Sequence, residues 1–239
     1  MLDVLGFGES SVDYVYTVPA LPRAGTAKLP IVSHDVSCGG QVATTVAACA
    51  ALGLKAGYLG VVGTDENGGR IRKELDARGV DLTRLVDRRA ANRYAVIMVE
   101  AATGERLVLW ERDPRLDLQP DEIHEGMVAD ARVVHLDATD EAASIELARL
   151  ARSAGAIVTC DIDTVTPRTM EFLSLVSLPI LAPHVPRELA GVDDIEGALR
   201  AMRRTHAGVI CVSLGEDGSA ALDGERFVHV PAFTVSAVD

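Results

Sequence analysis

The sequence lacks the features that mark membrane, secreted and nucleic-acid-binding proteins. No run of 18 apolar residues occurs among its 239 positions. No basic segment precedes the first apolar stretch, which argues against a signal peptide. The four cysteines are scattered, as expected of reduced thiols rather than disulfides or zinc ligands. The net charge of −12 argues against a nucleic-acid partner. We therefore expect a cytoplasmic protein with no membrane and no nucleic-acid partner.

Several well-known ligand motifs are also missing. The chain has no G-x-x-x-x-G-K-[ST] phosphate loop, no G-x-S-x-G, no H-E-x-x-H and no EF-hand loop. Gly6-Phe-Gly8 begins like a dinucleotide fingerprint, but Ser11 stands where the third glycine belongs and no helix pattern follows. Dinucleotide binding is therefore disfavoured.

The pattern that is present alternates short apolar runs with amphipathic stretches, which predicts an α/β fold with a doubly wound, mostly parallel sheet and helices on both faces. The length suits one large domain over residues 1–239. The predicted strands are 4–8, 55–63, 132–136, 156–162, 179–182 and 208–214. The predicted helices cover 41–52, 140–154 and 194–205, run from the N-cap Asp65 to Gly79, and open at Pro120.

Two segments, 14–37 and 92–111, break this alternation. The first is rich in proline, and the second is typical of a hairpin that turns at Thr103-Gly104. Neither is followed by its own crossover helix, so we expect both to leave the main sheet as a small flap. At the other end, strand-like runs follow at 219–222 and 226–230, and the sequence stops inside a third run. We expect that it is cut off there.

Asp13 and a pair of glycines are candidates for binding a small polar ligand. Asp13 follows the first strand, where a carboxylate can accept two hydroxyl hydrogen bonds from a sugar, although an ordinary turn aspartate is equally compatible. Gly39 and Gly40 directly precede a helix and allow close approach of a ligand, or form a flexible turn. The run from Gly60 to Gly68 repeats this strand-to-helix pattern.

Later in the chain, two further groups are suited to a nucleotide and a metal. Ser213-Leu-Gly-Glu-Asp-Gly218 offers a hydroxyl and two glycines for phosphates, or is a plain β-turn. Asp161 and Asp163 end a strand and could face a hydrated Mg²⁺, or be solvated turn acids.

In their order and spacing, these pieces resemble the PfkB/ribokinase family of sugar and nucleoside kinases, essentially from Leu2 to Asp239. The resemblance rests on these segments: Asp13, Gly39-Gly40 with the Ala-rich helix to Gly53, Gly60-x-x-Gly63-x-Asp65-x-x-Gly68, Gly79-Val80-Asp81, Gly104-Glu105-Arg106, Ser213-x-Gly215-x-x-Gly218 and Val238-Asp239.

The resemblance implies a small β lid formed by 14–37 and 92–111, and transfer of phosphate from ATP, with Mg²⁺, to a sugar hydroxymethyl group. It also implies a homodimer contact through the lid. The implied site residues are Asp13, Gly39, Gly40, Gln41 and Thr44 for the sugar, Ser213, Gly215 and Gly218 for the nucleotide, and Asp137 and Asp161 for the metal.

Three departures from the family pattern affect these expectations. Thr44 stands where the family usually has asparagine, and Glu188 is one position late in the stretch matching Asn-x-x-Glu. Of the family's Asp-Thr-x-Gly-Ala-Gly-Asp only the first residue, Asp239, is present, so the general base is expected beyond it and these residues alone are expected to be inert. The alternatives are a non-catalytic sugar- or nucleotide-binding protein and a relic without stable function. The sequence does not identify which sugar or nucleoside is the acceptor.

Overall fold

The structure, a computed structural model, describes residues 1–235. This part of the chain contains 13 strands and six α-helices. The strands are β1 Leu2–Phe7, β2 Ser11–Val18, β3 Ser33–Gly39, β4 Ala56–Gly63, β5 Asp81–Arg88, β6 Tyr94–Glu100, β7 Arg106–Glu111, β8 Ala131–Leu136, β9 Ile157–Ile162, β10 Leu178–Leu181, β11 Ile210–Ser213, β12 Ser219–Asp223 and β13 Arg226–Val230. The α-helices are α1 Gln41–Ala51, α2 Glu66–Ala77, α3 Glu141–Ser153, α4 Thr169–Leu175, α5 His184–Ala190 and α6 Ile195–Met202.

The chain divides into two compact units, of which the first comprises Met1–Phe7 and the chain from Pro120 onward. Its sheet has the order β13-β12-β11-β10-β9-β8-β1. The neighbours from β1 through β8, β9 and β10 to β11 are parallel, and β12 and β13 are added antiparallel. Helix α3 packs on β8 and β9, and α6 packs on β12. The predicted α/β fold with a large, mostly parallel sheet flanked by helices is confirmed.

Helix α3 illustrates how local sequence forms these elements. Asp140 caps its start by accepting a hydrogen bond from the Ala143 N–H, at 3.4 Å, and the chain leaves the helix through Gly155 with φ +82°. Ile145 and Leu147 are fully buried, because the apolar face of the helix is turned toward the sheet.

The second unit, Gly8–Gln119, contains the parallel pair β4-β5, helices α1 and α2, and a separate four-stranded sheet of order β3-β2-β6-β7. In that sheet β2 and β6 are parallel, whereas the β2-β3 and β6-β7 pairs are antiparallel. The segments 14–37 and 92–111 supply most of its residues. The predicted hairpin forms, with Gly104 at φ +74° in its turn. Val12, Val46, Tyr58 and Ile71 form the core of this unit.

The predicted helix opening at Pro120 is wrong. Pro120–Glu122 and Glu125–Met127 are single 3-10 turns. Gly126 disfavours a continuous helix in this segment. Helices α4 and α5 were not predicted, because neither is long enough to give a periodic pattern. Within residues 1–235 no helix combines the length and apolar character needed to cross a membrane.

Candidate functional site

Asp13 follows β1, as expected, but it lies inside β2 and not in a turn. Its Oδ1 accepts a hydrogen bond from the Ser11 hydroxyl at 2.8 Å. Ser11 pairs with Gly39 of β3 across the strands, and a Cβ built on Gly39 would overlap Oδ2 of Asp13 and lie 3.2 Å from its Cγ. The missing side chain at Gly39 therefore makes the space that the Asp13 carboxylate occupies.

Gly40 places the start of α1 against the segment that precedes β2. It adopts φ +100° and ψ 135°, and a Cβ there would lie 2.5 Å from the Glu9 carbonyl oxygen. The same carbonyl accepts the Ala43 N–H at 3.1 Å. Gly40 caps the helix without a side chain, and the first turn holds no acidic residue. The positive end of the helix dipole thus lies close to Asp13, in a setting suited to polar ligands.

Gln41 and Thr44 occupy the first turns of α1. Gln41 is half-buried, and its carbonyl accepts the Thr45 hydroxyl at 2.9 Å. Thr44 is exposed and lines a cleft of about 160 Å³ together with Cys38, Gly39 and residues of α2. The structure therefore brings Asp13, Gly39 and Gly40 together, and directs Thr44 toward α2.

The turn from Gly63 to Gly68 is organised by residues within the chain. Asp65 caps α2 by accepting the Gly68 N–H at 2.9 Å, as predicted, and its other oxygen accepts the Asn92 N–H at 3.0 Å. The Asn92 side chain accepts the Gly63 N–H at 3.1 Å and donates to the Arg93 carbonyl at 3.1 Å. A Cβ on Gly68 would overlap the Gly63 carbonyl oxygen. These glycines thus permit close packing within the protein.

Glu9, Asn92 and Arg93 were not identified from the sequence. Arg93 Nε lies 2.9 Å from Glu9 Oε1, and both side chains are largely buried, at 18% and 15% exposure. Neither residue belongs to a recognisable motif. Glu9 precedes β2 and Arg93 precedes β6, so the two side chains meet only because these distant strands pair. A buried amide such as Asn92, at 2% exposure, likewise has no local signal.

In the first unit, Asp137 and Asp161 follow or end neighbouring parallel strands. β8 and β9 pair with Leu136 beside Cys160, so the next residues of the two strands are Asp137 and Asp161. Asp137 is fully buried, and its Oδ1 accepts the Thr139 N–H at 2.9 Å. Burial raises the pKa of Asp161, and the negative charge of Asp163 raises it further.

The carboxylates of Asp137 and Asp161 are the type of ligand that Mg²⁺ prefers. Mg²⁺ is commonly held by one or two carboxylates together with water and substrate phosphates. A cation would also relieve the repulsion between Asp161 and Asp163 that raises the pKa of Asp161. Across residues 1–235, no group of three or more His, Cys, Asp or Glu side chains is gathered for a metal. A metal at this edge would therefore need ligands from its substrate or solvent.

Ser213, Gly215 and Gly218 lie together in the turn between β11 and β12. Ser213 pairs with Ser219, and the turn closes through the Leu214 N–H donating to the Gly218 carbonyl at 2.8 Å. Gly215 has φ +61° and open space where a Cβ would be, whereas a Cβ on Gly218 would overlap the Val230 carbonyl oxygen. Gly215 therefore leaves room for a ligand, and Gly218 is required by packing. Asp239, and the general base expected beyond it, lie outside the described residues.

The profile of pfkB family carbohydrate kinases matches residues 1–239. The chain belongs to that family. An ATP-dependent ribose-1-phosphate kinase from Halopiger xanaduensis is 34% identical over 164 residues, covering 67% of this chain and 54% of that protein. A fructokinase from Solanum tuberosum is 26% identical over 249 residues, covering 99% of this chain and 75% of the fructokinase. The matched part of this chain thus spans about half the length of the Halopiger kinase.

Solved structures share the fold of this chain. Arabidopsis thaliana ribokinase complexed with ribose and ATP superposes with a TM-score of 0.82 at 22% identity, covering 99% of this chain and 80% of that one. Adenosine kinase from Sinorhizobium meliloti gives a TM-score of 0.80 at 22% identity, covering 100% and 82%. At such identities the likeness concerns the fold alone.

Proposed function

We propose that the protein transfers the γ-phosphate of ATP to a sugar hydroxymethyl group. The observation that carries this proposal is the arrangement of Asp13 against Gly39, beside the open start of α1. A carboxylate accepts hydrogen bonds only, and sugar hydroxyls are donors that match it. Membership of a family of carbohydrate kinases and the names of its relatives support the reaction class.

The acceptor is bound by hydrogen bonds to Asp13 and by contacts with the backbone at Gly39 and Gly40. Ser11 keeps the carboxylate in one orientation, because its hydroxyl donates to Oδ1 at 2.8 Å and leaves Oδ2 for the ligand. Fixing the acceptor in this way supplies the positioning on which phosphoryl transfer depends. The general base that removes the hydroxyl proton is not assigned to any of residues 1–235.

In the proposed reaction, ATP binds at the turn that contains Ser213, Gly215 and Gly218. The Ser213 hydroxyl and the backbone at Gly215 would contact the phosphates, because Gly215 leaves open space for a ligand. Asp137 and Asp161 would hold Mg²⁺, which would neutralise charge on the phosphates. The altered stretch around His184 and Glu188 forms α5.

A homodimer through the lid segments is part of the proposal. β7 ends the order of the four-stranded sheet, and all six of its residues are exposed. An open edge strand readily pairs with a second copy of itself. Sedimentation of the protein over a hundredfold range of concentration tests this, and a monomer at every concentration would contradict it.

The decisive experiment incubates the gene-encoded protein with ATP and a panel of acceptors, and measures phosphorylation of each acceptor. The panel contains ribose, ribose 1-phosphate, fructose, 5-dehydro-2-deoxygluconate and adenosine. With the best acceptor, Asp13→Asn should lower kcat/KM more than a hundredfold, since losing hydrogen bonds to a charged group costs about 3 kcal/mol. Asp35→Asn, an exposed carboxylate on neighbouring β3, is the matched control and should change kcat/KM less than twofold. Activity of Asp13→Asn within threefold of wild type would refute the role of Asp13, and sugar binding without turnover would favour a non-catalytic binding protein.

A further inference from the structure

One face of the four-stranded sheet carries Asp13 and Trp110 in a single row across the strands. Asp13 of β2 lies beside Ala95 of β6, and Ala95 lies opposite Trp110 of β7. Residues paired across neighbouring strands share a face, so all three side chains are on the same face. The adjacent residues Tyr14 and Tyr94 make an edge-to-face contact on the other face, with ring centroids 6.2 Å apart.

The central residue of this row is small. Neighbouring strands are about 4.8 Å apart, which places the Cα atoms of Asp13 and Trp110 roughly 9.6 Å from each other across the row. Ala95 is buried and contributes only a methyl group between them. A carboxylate and an indole therefore stand on one face of the sheet with only a small residue between them.

The Trp110 ring is held in place although it is exposed. The guanidinium carbon of Arg93 lies 4.9 Å from the ring centroid, and Arg93 is itself paired with Glu9. The Glu9 carbonyl oxygen accepts the Ala43 N–H at the start of α1. Even so, 62% of Trp110 is exposed. An aromatic ring that is fixed by a cation and still open over most of its surface is suited to contact a ligand.

We propose that Trp110 is the aromatic platform of the acceptor subsite, which supports the carbon-bound hydrogens of a sugar while Asp13 accepts its hydroxyl hydrogen bonds. This inference rests on the proposed function, because it takes the acceptor to be a sugar. A monosaccharide has one face of C–H bonds and a rim of hydroxyls, which matches an indole beside a carboxylate. Arg93 acts through Trp110 as a positioning residue.

A second copy of the chain is the other occupant to consider for this face. An apolar protein surface covering this row would bury Oδ2 of Asp13 without a hydrogen-bond donor, which is costly. A sugar supplies those donors from the same molecule that covers the ring. The chemistry of the row therefore favours a sugar.

The first test uses fluorescence, because Trp110 is the only tryptophan among the 239 residues. Ribose and fructose are titrated separately into the protein without ATP, and Trp110→Phe provides the blank. We expect a saturable change in emission with the sugar that the enzyme accepts. Unchanged emission at sugar concentrations that support turnover would overturn the proposal. A change that follows protein concentration instead of sugar would also overturn it, since it assigns Trp110 to a contact between copies.

The second test separates binding from chemistry by steady-state kinetics. Trp110→Ala should raise the KM for the sugar at least tenfold while kcat and the KM for ATP change less than threefold, and Trp110→Phe should restore the sugar KM to within threefold. Leu109→Ala is the matched control, because Leu109 pairs with Val96 and is exposed on the opposite face. A sugar KM unaffected by Trp110→Ala, or raised equally by Leu109→Ala, would refute the platform. A saturable emission change in the gene-encoded protein without phosphate transfer would support the platform and refute the kinase proposal.

Discussion

Replacing Gly39 by alanine should weaken acceptor binding and leave the stability of the protein nearly unchanged. The Cβ would overlap the Asp13 carboxylate, which is the end of a side chain and can rotate away. Gly40, the next residue, is the internal control. Its Cβ would meet the backbone of Glu9 and Ser10, which cannot move without shifting β2, and its φ of +100° is a conformation that alanine adopts only under strain.

The magnitudes follow from these contacts. Rotation of Asp13 in Gly39→Ala loses the hydrogen bond from Ser11, a net cost of about 1 kcal/mol in the free energy of unfolding. Loss of one hydroxyl hydrogen bond to the displaced carboxylate costs about 1.5–3 kcal/mol in binding, so the Kd for the sugar should rise about tenfold to hundredfold. In Gly40→Ala, backbone strain and overlap should together lower the free energy of unfolding by about 2–4 kcal/mol.

Urea unfolding and sugar titration, carried out on both variants, test this reasoning. Urea curves give the free energy of unfolding, and calorimetric titration with the best acceptor from the panel gives the Kd. Gly39→Ala should lose affinity at almost full stability, and Gly40→Ala should lose stability. The reasoning fails if Gly39→Ala binds the sugar within twofold of wild type, or if it is destabilised as much as Gly40→Ala.

Two further predictions concern stability. Burial lowers the pKa of His135 to about 4, so the unfolded chain binds a proton near pH 6.5 that the folded chain does not, and stability should fall by about 2 kcal/mol between pH 7.5 and pH 5. His135→Gln should remove this part of the pH dependence in urea unfolding, and an unchanged slope would contradict the assignment. Asn92→Ala should destabilise the protein by about 2–3 kcal/mol, because it leaves the Gly63 N–H without its buried acceptor, and thermal unfolding with a loss under 0.5 kcal/mol would contradict that role.

The local elements were predictable because their signals are contained within a few residues. Asp65 and Asp140 cap the helices that follow them, and Gly155 ends α3 in a left-handed conformation. The alternation of apolar runs and amphipathic stretches predicted the parallel strands of the first unit. The helix expected at Pro120 failed because a proline and two acids indicate a helix start without indicating that an apolar face follows.

Sequence by itself determined the alternating α/β pattern, the helix caps and the glycine positions, since each depends on neighbouring residues and on backbone conformation. Tertiary structure alone decided which side chains meet. The register of β2, β6 and β7 places Asp13 in one row with Trp110, and the same pairing brings Glu9 to Arg93. These contacts join strands that are distant in the chain, and their register depends on packing of the whole unit, which no local pattern encodes.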